Sequence, residues 1–317
     1  MKNLIIATLA VFSMTIPPQQ KIEFEAPEAY PEGVAFNPAN RKFYVSSARL
    51  GTIGEVSEDG KYKAIYTSPD LKSSYGIKVH ADQKRVFVCL ADANYSKFKS
   101  PETDKKMARL IAIDIKSGKK VLDVDLSKLV PGNHFSNDLT FDKTGNAYVT
   151  DSFANVVYKV TPDGKASVFA KSDLFKTQGV GLNGIAWHAK NFLLVANSGK
   201  GSVFKIDVAN PAMVTKVELP QFLMNADGLL LLDANTLILV QNGGSNRIHK
   251  LQSSDDWKSA RIVASTQYED RFAYPSTATA KENDVWVMNA KFNELNDSTA
   301  VFSKKFSMQK AEFVTMK

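Results

Sequence analysis

A single cysteine, Cys89, in 317 residues excludes an intrachain disulfide, a thiolate zinc site and a lipoprotein-type cysteine near the N-terminus. Clustered charge is also missing. Lys+Arg exceed Asp+Glu by 40 to 33, but no run of five like charges occurs, and the stretch 97–106 mixes both signs. A nucleic-acid-binding stripe is therefore not expected, and the net charge of +7 suits a solvated surface. No Gly-x-Ser-x-Gly elbow is present, and Gly51–Gly54 reads Gly-Thr-Ile-Gly without the Lys-Ser/Thr that a phosphate loop needs. Long amphipathic helices are absent too, because no long stretch repeats its apolar residues every 3.6 positions. With 44% hydrophobic and 23% charged residues, the chain is nevertheless of globular composition, which rules out disorder and collagen-like structure.

The first residues read as an address. Met1-Lys2-Asn3 precedes an apolar stretch from Leu4 to Phe12, then Ser13-Met14-Thr15 and Pro17-Pro18. A basic start, a short apolar core and small residues before a helix-breaking pair fit a secretory signal over residues 1–16. The alternative is an ordinary N-terminal segment. The run is too short for the ~20 apolar residues of a membrane span, so the mature chain is expected in the periplasm or outside the cell, not inserted in a membrane.

What the rest of the chain has is repetition. Short β-branched or aromatic runs alternate with Asp-Gly, Gly-Asn and Pro-Asp turn signals from Ile22 onward. Six segments align: Pro31–Phe36, Ser74–Val79, Ser136–Phe141, Leu182–Trp187, Ala226–Leu231 and Pro275–Ala280. Their third residues fall at 33, 76, 138, 184, 228 and 277, giving intervals of 43, 62, 46, 44 and 49, the long one holding a polar insertion from Asn94 to Lys106. Each leads into a second apolar run, and a third and fourth follow in most units. Four short strands per mid-forties period is the pattern of propeller blades. Helical repeats of similar period would need apolar stretches that these turn signals interrupt. The expectation is an all-β protein, one six-bladed β-propeller domain over residues 20–317 with four-stranded antiparallel blades. Lys21–Ala26 would be a spare strand able to close the ring on the last blade.

The register also places side chains. The second residue of each segment, just before the innermost strand, is Glu32, Tyr75, Asn137, Asn183, Asp227 or Ser276. Inner strands surround the channel, so these six should crowd one of its mouths. The ends of the second strands return there with Ser47, Asp92 (or Leu90), Asp151, Asn197, Asn242 and Asn289. A polar ring in an all-β core is costly to bury without partners. Carboxylate and amide oxygens without His or Cys suit a hard divalent cation, Ca²⁺ before zinc. Each Asn or Asp alone reads more simply as a turn residue; it is the recurrence in equivalent positions that points to a metal. Among the histidines, His80 and His188 fall in turns after inner strands, His249 in a third strand, and only His134 stands where it could lean over the mouth. Cys89 reads as a small core residue.

These residues resemble the gluconolactonase/regucalcin (senescence marker protein) family of six-bladed propellers. Glu32 in Pro-Glu-Gly, Asn137 in Asn-Asp, Asn183 in Asn-Gly-Ile-Ala-Trp and Asp227 in Asp-Gly match its motifs in order. The resemblance implies a divalent metal, often Ca²⁺, held by Glu32, Asn183 and Asp227, with Asn137 contacting substrate or metal. Sugar-lactone enzymes of the family carry an Arg two residues before that Asn. Phe135 stands there instead, favouring a more apolar ester or lactone. The wording His134–Asp138 and Asp255-Asp256-Trp257 is similar to an uncharacterised branch labelled calcium-dependent phosphotriesterase-like.

The resemblance thus implies a metal-dependent hydrolase of a small-molecule lactone or ester. In it Asp227 doubles as the general base directing water, and Tyr75, His134 and Phe135 shape the pocket beside Asn137. The other reading is a non-catalytic propeller binding a ligand at a metal-stabilised mouth. A weaker third is a strictosidine-synthase-like condensing enzyme, against which the Asn and Asp positions argue.

Overall fold

The structure, a computed structural model, describes residues 20–316. The export signal expected at residues 1–16 lies outside them. Six antiparallel sheets form the blades of a propeller, and no α-helix occurs among the described residues. The innermost strands are Val34–Asn37, Ser73–Val79, Ser136–Phe141, Leu182–His188, Ala226–Asp233 and Pro275–Lys281, each adjoining the next around the channel and the last adjoining the first. Four blades are built from four consecutive strands. The fifth gains a short outer strand, Val314–Thr315, beside Arg261–Ser265.

The spare N-terminal strand closes the ring as its pattern suggests. Lys21–Glu25 alternates exposed and buried residues and pairs antiparallel with Lys305–Lys310 as the outermost strand of the sixth blade. Its inward pair, Ile22 and Phe24, packs with Tyr30, Phe43, Trp286 and Phe306 in one apolar cluster that joins the first and last blades. Burying such side chains is worth roughly 1.5–3 kcal/mol each, which is how two chain ends far apart in sequence hold one ring together. Similar clusters fill the spaces between the other blades.

Two local features aim residues at the channel. In blades two to six the pairing of the inner strand slips at the same place, between Ser74 and Ile77, Ser136 and Leu139, Leu182 and Ile185, Ala226 and Leu229, and Pro275 and Ala278. In these five blades the residues placed by the sequence register therefore sit in a β-bulge inside the strand, while Glu32 stands ahead of its strand as expected; a bulge re-aims the side chains it carries. The second feature is close strand approach. A Cβ on Gly184 would lie 2.3 Å from the Asp227 carbonyl oxygen, and one on Gly33 2.6 Å from that of Tyr75. Glycine after the bulge residue lets neighbouring blades approach until their inner strands touch.

The insertion Asn94–Lys106 is laid against the mouth by backbone bonds. Lys97 N donates to Arg49 O, Lys105 N to Asp92 O, and His134 N to Lys105 O.

Candidate functional site

A cavity occupies the mouth of the channel, with about 560 Å³ of empty space when the part open to solvent is included. Its polar side carries Glu32, Asn137, Asn183 and Asp227 from four different blades, backed by Ser198 and Asn242. The rest of the lining is Tyr75, Tyr95, Phe135, Val180, Tyr274 and Phe292, with Asn94 and Asn225.

Three of the four polar residues are held alike. Each is tied to the residue fifteen positions on, at the end of the second strand of its own blade. Asn137 Nδ2 donates to Ser152 Oγ at 2.9 Å and Asn183 Nδ2 to Ser198 Oγ at 3.0 Å, while Asn242 Nδ2 donates to Asp227 Oδ2. The serines in turn donate to backbone oxygens of the next blade, Ser152 to Leu182 O and Ser198 to Ala226 O. Glu32 is held by Thr277, whose Oγ1 donates to Oε1 at 3.3 Å.

Spending the amide nitrogens in this way leaves oxygens over. Glu32 Oε2, Asn183 Oδ1 and Asp227 Oδ1 are buried without a hydrogen-bond partner. Orphaned buried oxygens are rare in proteins and costly. Burial, then the charges of Asp227 and Asp138, push the Glu32 carboxyl well above the ordinary range, against the pull of Lys78 and Thr277. Burial and then Asp138 push Asp227 up as well, against the hydrogen bonds from Asn242 and Asn183. The residues present fit a hard cation, since oxygen is the only donor type offered and the unpartnered atoms come from three blades. Among the described residues no three His, Cys, Asp or Glu side chains gather closely enough to hold a metal. A cation here must therefore draw on the Asn183 amide as well as on Glu32 and Asp227.

The rest of the lining is mainly aromatic. Phe135 sits 4.5 Å from Tyr75 and 5.4 Å from Phe153, centroid to centroid, and Phe292 lies 5.0 Å from Tyr95 and 5.7 Å from Tyr274. The Tyr75 hydroxyl is buried without a partner. No lysine or arginine lines the cavity.

Of the expected site residues, the fold brings Glu32, Tyr75, Phe135, Asn137, Asn183 and Asp227 together; His134 is not among those lining the cavity. Its Nδ1 lies 2.8 Å from Asp151 Oδ2, which also accepts the Tyr158 hydroxyl at 3.2 Å. Asp151 Oδ1 accepts the backbone N–H groups of Phe135, Phe153 and Ala154. Asp151, expected on the rim, thus pins the aromatic wall from behind. Asn197 and Asn289 likewise bond backbone, at Phe175 O and Ala273 N, and Asp92 Oδ2 accepts from Ser100 N and Thr103 Oγ1. Ser47 donates to Ala29 O. Only Asn242 of that second ring reaches the cavity. Ser152 and Ser198, one residue beyond the expected rim positions, do the work assigned to Asp151 and Asn197. The repeated fifteen-residue spacing to Asn137 and Asn183 is the signal that could have found them.

No protein-family model matches the sequence, and no curated protein sequence matches it either. Solved structures do. The chain superposes on the major Malassezia sympodialis allergen Mala s 1 with a TM-score of 0.74 at 16% identity, covering 93% of this chain and 96% of that one. A luciferin-regenerating enzyme matches at TM-score 0.62 and 14% identity, over 93% and 96% of the two chains. A candidate gluconolactonase matches at 0.58 and 15%, over 95% of each. The protein is thus a six-bladed propeller structurally similar, at low identity, to proteins of the gluconolactonase type. Such distant likeness establishes architecture, not activity.

Proposed function

We propose that the protein is a divalent-cation-dependent hydrolase of a small, uncharged, apolar lactone or ester, with Ca²⁺ as the fitting ion. The single observation that carries this is the set of three buried, unpartnered oxygens on Glu32, Asn183 and Asp227 facing one cavity. When bound, a cation there supplies Lewis acidity toward a carbonyl or phosphoryl oxygen and acidifies water. The protein's own groups do the rest. Asn242 fixes Asp227 through Oδ2, so that Oδ1, with one lone pair toward the cation and a second one free, would accept a proton from water. Asn137, locked by Ser152, presents its amide to the substrate. Tyr75 offers an unused hydroxyl, and Phe135 and Val180 keep water from the apolar end of the substrate. Phe135 in place of a cationic side chain speaks for an apolar acyl or alkoxy group and against a polyhydroxylated one. Export through residues 1–16 is part of the proposal and places the site in the periplasm or outside the cell.

The test is turnover of aryl acetates and simple lactones with calcium, with chelator, and by Asp227→Ala. Calcium-dependent hydrolysis lost in Asp227→Ala supports the reading. One observation favours a non-catalytic ligand-binding propeller: no His or Lys lines the cavity to pair with Asp227 as acid and base. Calcium binding without turnover of any ester or lactone would decide for that alternative.

A further inference from the structure

One carboxylate beneath the mouth belongs to none of the roles above. Asp138 follows Asn137 at the position where four other blades carry Gly33, Gly76, Gly184 and Gly228. It is 3% exposed, and its Oδ1 has no hydrogen-bond donor. A Cβ on Gly76 would lie 2.5 Å from that oxygen, so the neighbouring blade leaves just enough room for the carboxylate. Its Oδ2 accepts the Ile185 N–H at 3.4 Å, and an ammonium faces Oδ1: Lys78 Nζ, from the inner strand of blade two, lies 3.5 Å away. That strand also carries Tyr75, and its lysine is largely covered, with a side-chain exposure of 21%.

The pair stands close enough to the mouth to be felt there. Both Asp138 and Lys78 act on the charge of Glu32, in opposite directions, and Asp138 acts on Asp227. The channel thus gathers three carboxylates and one ammonium, a net charge of −2 when all are ionised. In a buried channel, charges interact over several ångströms with little screening.

We propose that Asp138 and Lys78 form a charge pair beneath the mouth that sets how tightly the site holds a divalent cation, Asp138 strengthening binding and Lys78 restraining it. This rests on the reading of Glu32, Asn183 and Asp227 as the cation's ligands, and both residues act as positioning charges that do not touch the ion. Lys78 is the built-in counter-ion of the empty site, so that three buried carboxylates do not stand unbalanced before the ion arrives. It also lowers the gain when the ion binds, which keeps the cation exchangeable.

The experiment is calorimetric titration of the full chain with calcium chloride alone, for the wild type, Lys78→Met, Asp138→Asn and the double variant, with circular dichroism and thermal melting beside it. Lys78→Gln serves as the second variant should Lys78→Met fail to fold. Lys78→Met is expected to tighten calcium binding about tenfold and Asp138→Asn to weaken it about tenfold, with the double variant near wild type. Without calcium, Lys78→Met should melt lower than the wild type, and calcium should raise its melting point by more. Folded variants binding within about twofold of the wild type, or shifts of opposite sign, would overturn the charge pair while leaving the ligand set standing. A wild type that binds no divalent cation would overturn the ligand set, and the charge pair with it.

Discussion

The two halves of the mouth are made in different ways. The polar half, Glu32, Asn137, Asn183 and Asp227, comes from one repeated position at the inner strand of four blades, three of them within a bulge shared by blades two to six. Three of its side chains are braced by the residue fifteen positions on, Ser152, Ser198 or Asn242, and Glu32 by Thr277 of the last blade. The aromatic half is assembled from unlike places. Tyr75 holds the repeated position itself in blade two, and Phe135 and Tyr274 each stand one residue before an inner strand, but Tyr95 comes from the insertion, Val180 from a loop, and Phe292 from a single 3₁₀ turn, Phe292–Asn296. The difference separates what the propeller repeats from what its connections add. Repetition supplies the rigid oxygen donors and Tyr75, and the connections supply most of the shape that would select a substrate.

That division can be broken first on the polar side. Asp227→Ala should abolish hydrolysis, with kcat/KM down by about a thousandfold or more, since it removes both an oxygen ligand and the proposed base. Steady-state kinetics of an aryl ester checks it, and residual activity near wild type would place the chemistry elsewhere. On the aromatic side, Phe135→Ala should leave calcium affinity within about threefold while costing about 3–5 kcal/mol of stability, because Phe135 is packed in the cluster that joins the first and last blades. Urea unfolding and calcium titration of the same variant separate the two effects.

The two halves also differ in how legible they were. Six inner segments, their second strands and the closing strand at Lys21–Glu25 could be read because alternation, Gly-containing turns and a mid-forties period leave the register little freedom. Glu32, Asn137, Asn183 and Asp227 came with that register. Tyr95, Val180 and Phe292 did not, since loop residues have no period; Tyr274 stands one residue before its segment, as Phe135 does, and that shared place is the signal that could have found it. Asp138 was hidden by standing where the repeat has glycine. His134 looked free in sequence, but Asp151 lies behind it, and the local order of residues does not say to which side a loop histidine turns.

Smaller effects sharpen the same comparison. In the metal-free protein the carboxyls of Glu32 and Asp227 are raised, mainly by burial. The folded state then holds their protons more tightly than the unfolded chain, whose carboxyls titrate near 4. Their contribution to stability is full below that value and is lost as pH rises through the folded values. Calcium replaces those protons, so its stabilising shift in melting temperature should be larger at pH 8 than at pH 5. An equal shift at both would mean that the ion sits away from Glu32 and Asp227. Smaller still, Ser198→Ala should weaken calcium binding several-fold, by freeing the Asn183 amide, and cost about 1 kcal/mol through the lost bond to Ala226 O. Tyr274→Phe, on the other half, should leave binding unchanged.

The most direct measurement is calcium titration by calorimetry of the wild-type protein beside Asn183→Ala and Asp227→Ala, each shown to be folded. The account predicts one site in the wild type and no measurable binding in either variant. Wild-type protein that takes up no divalent cation, or folded variants that bind as the wild type does, would contradict it.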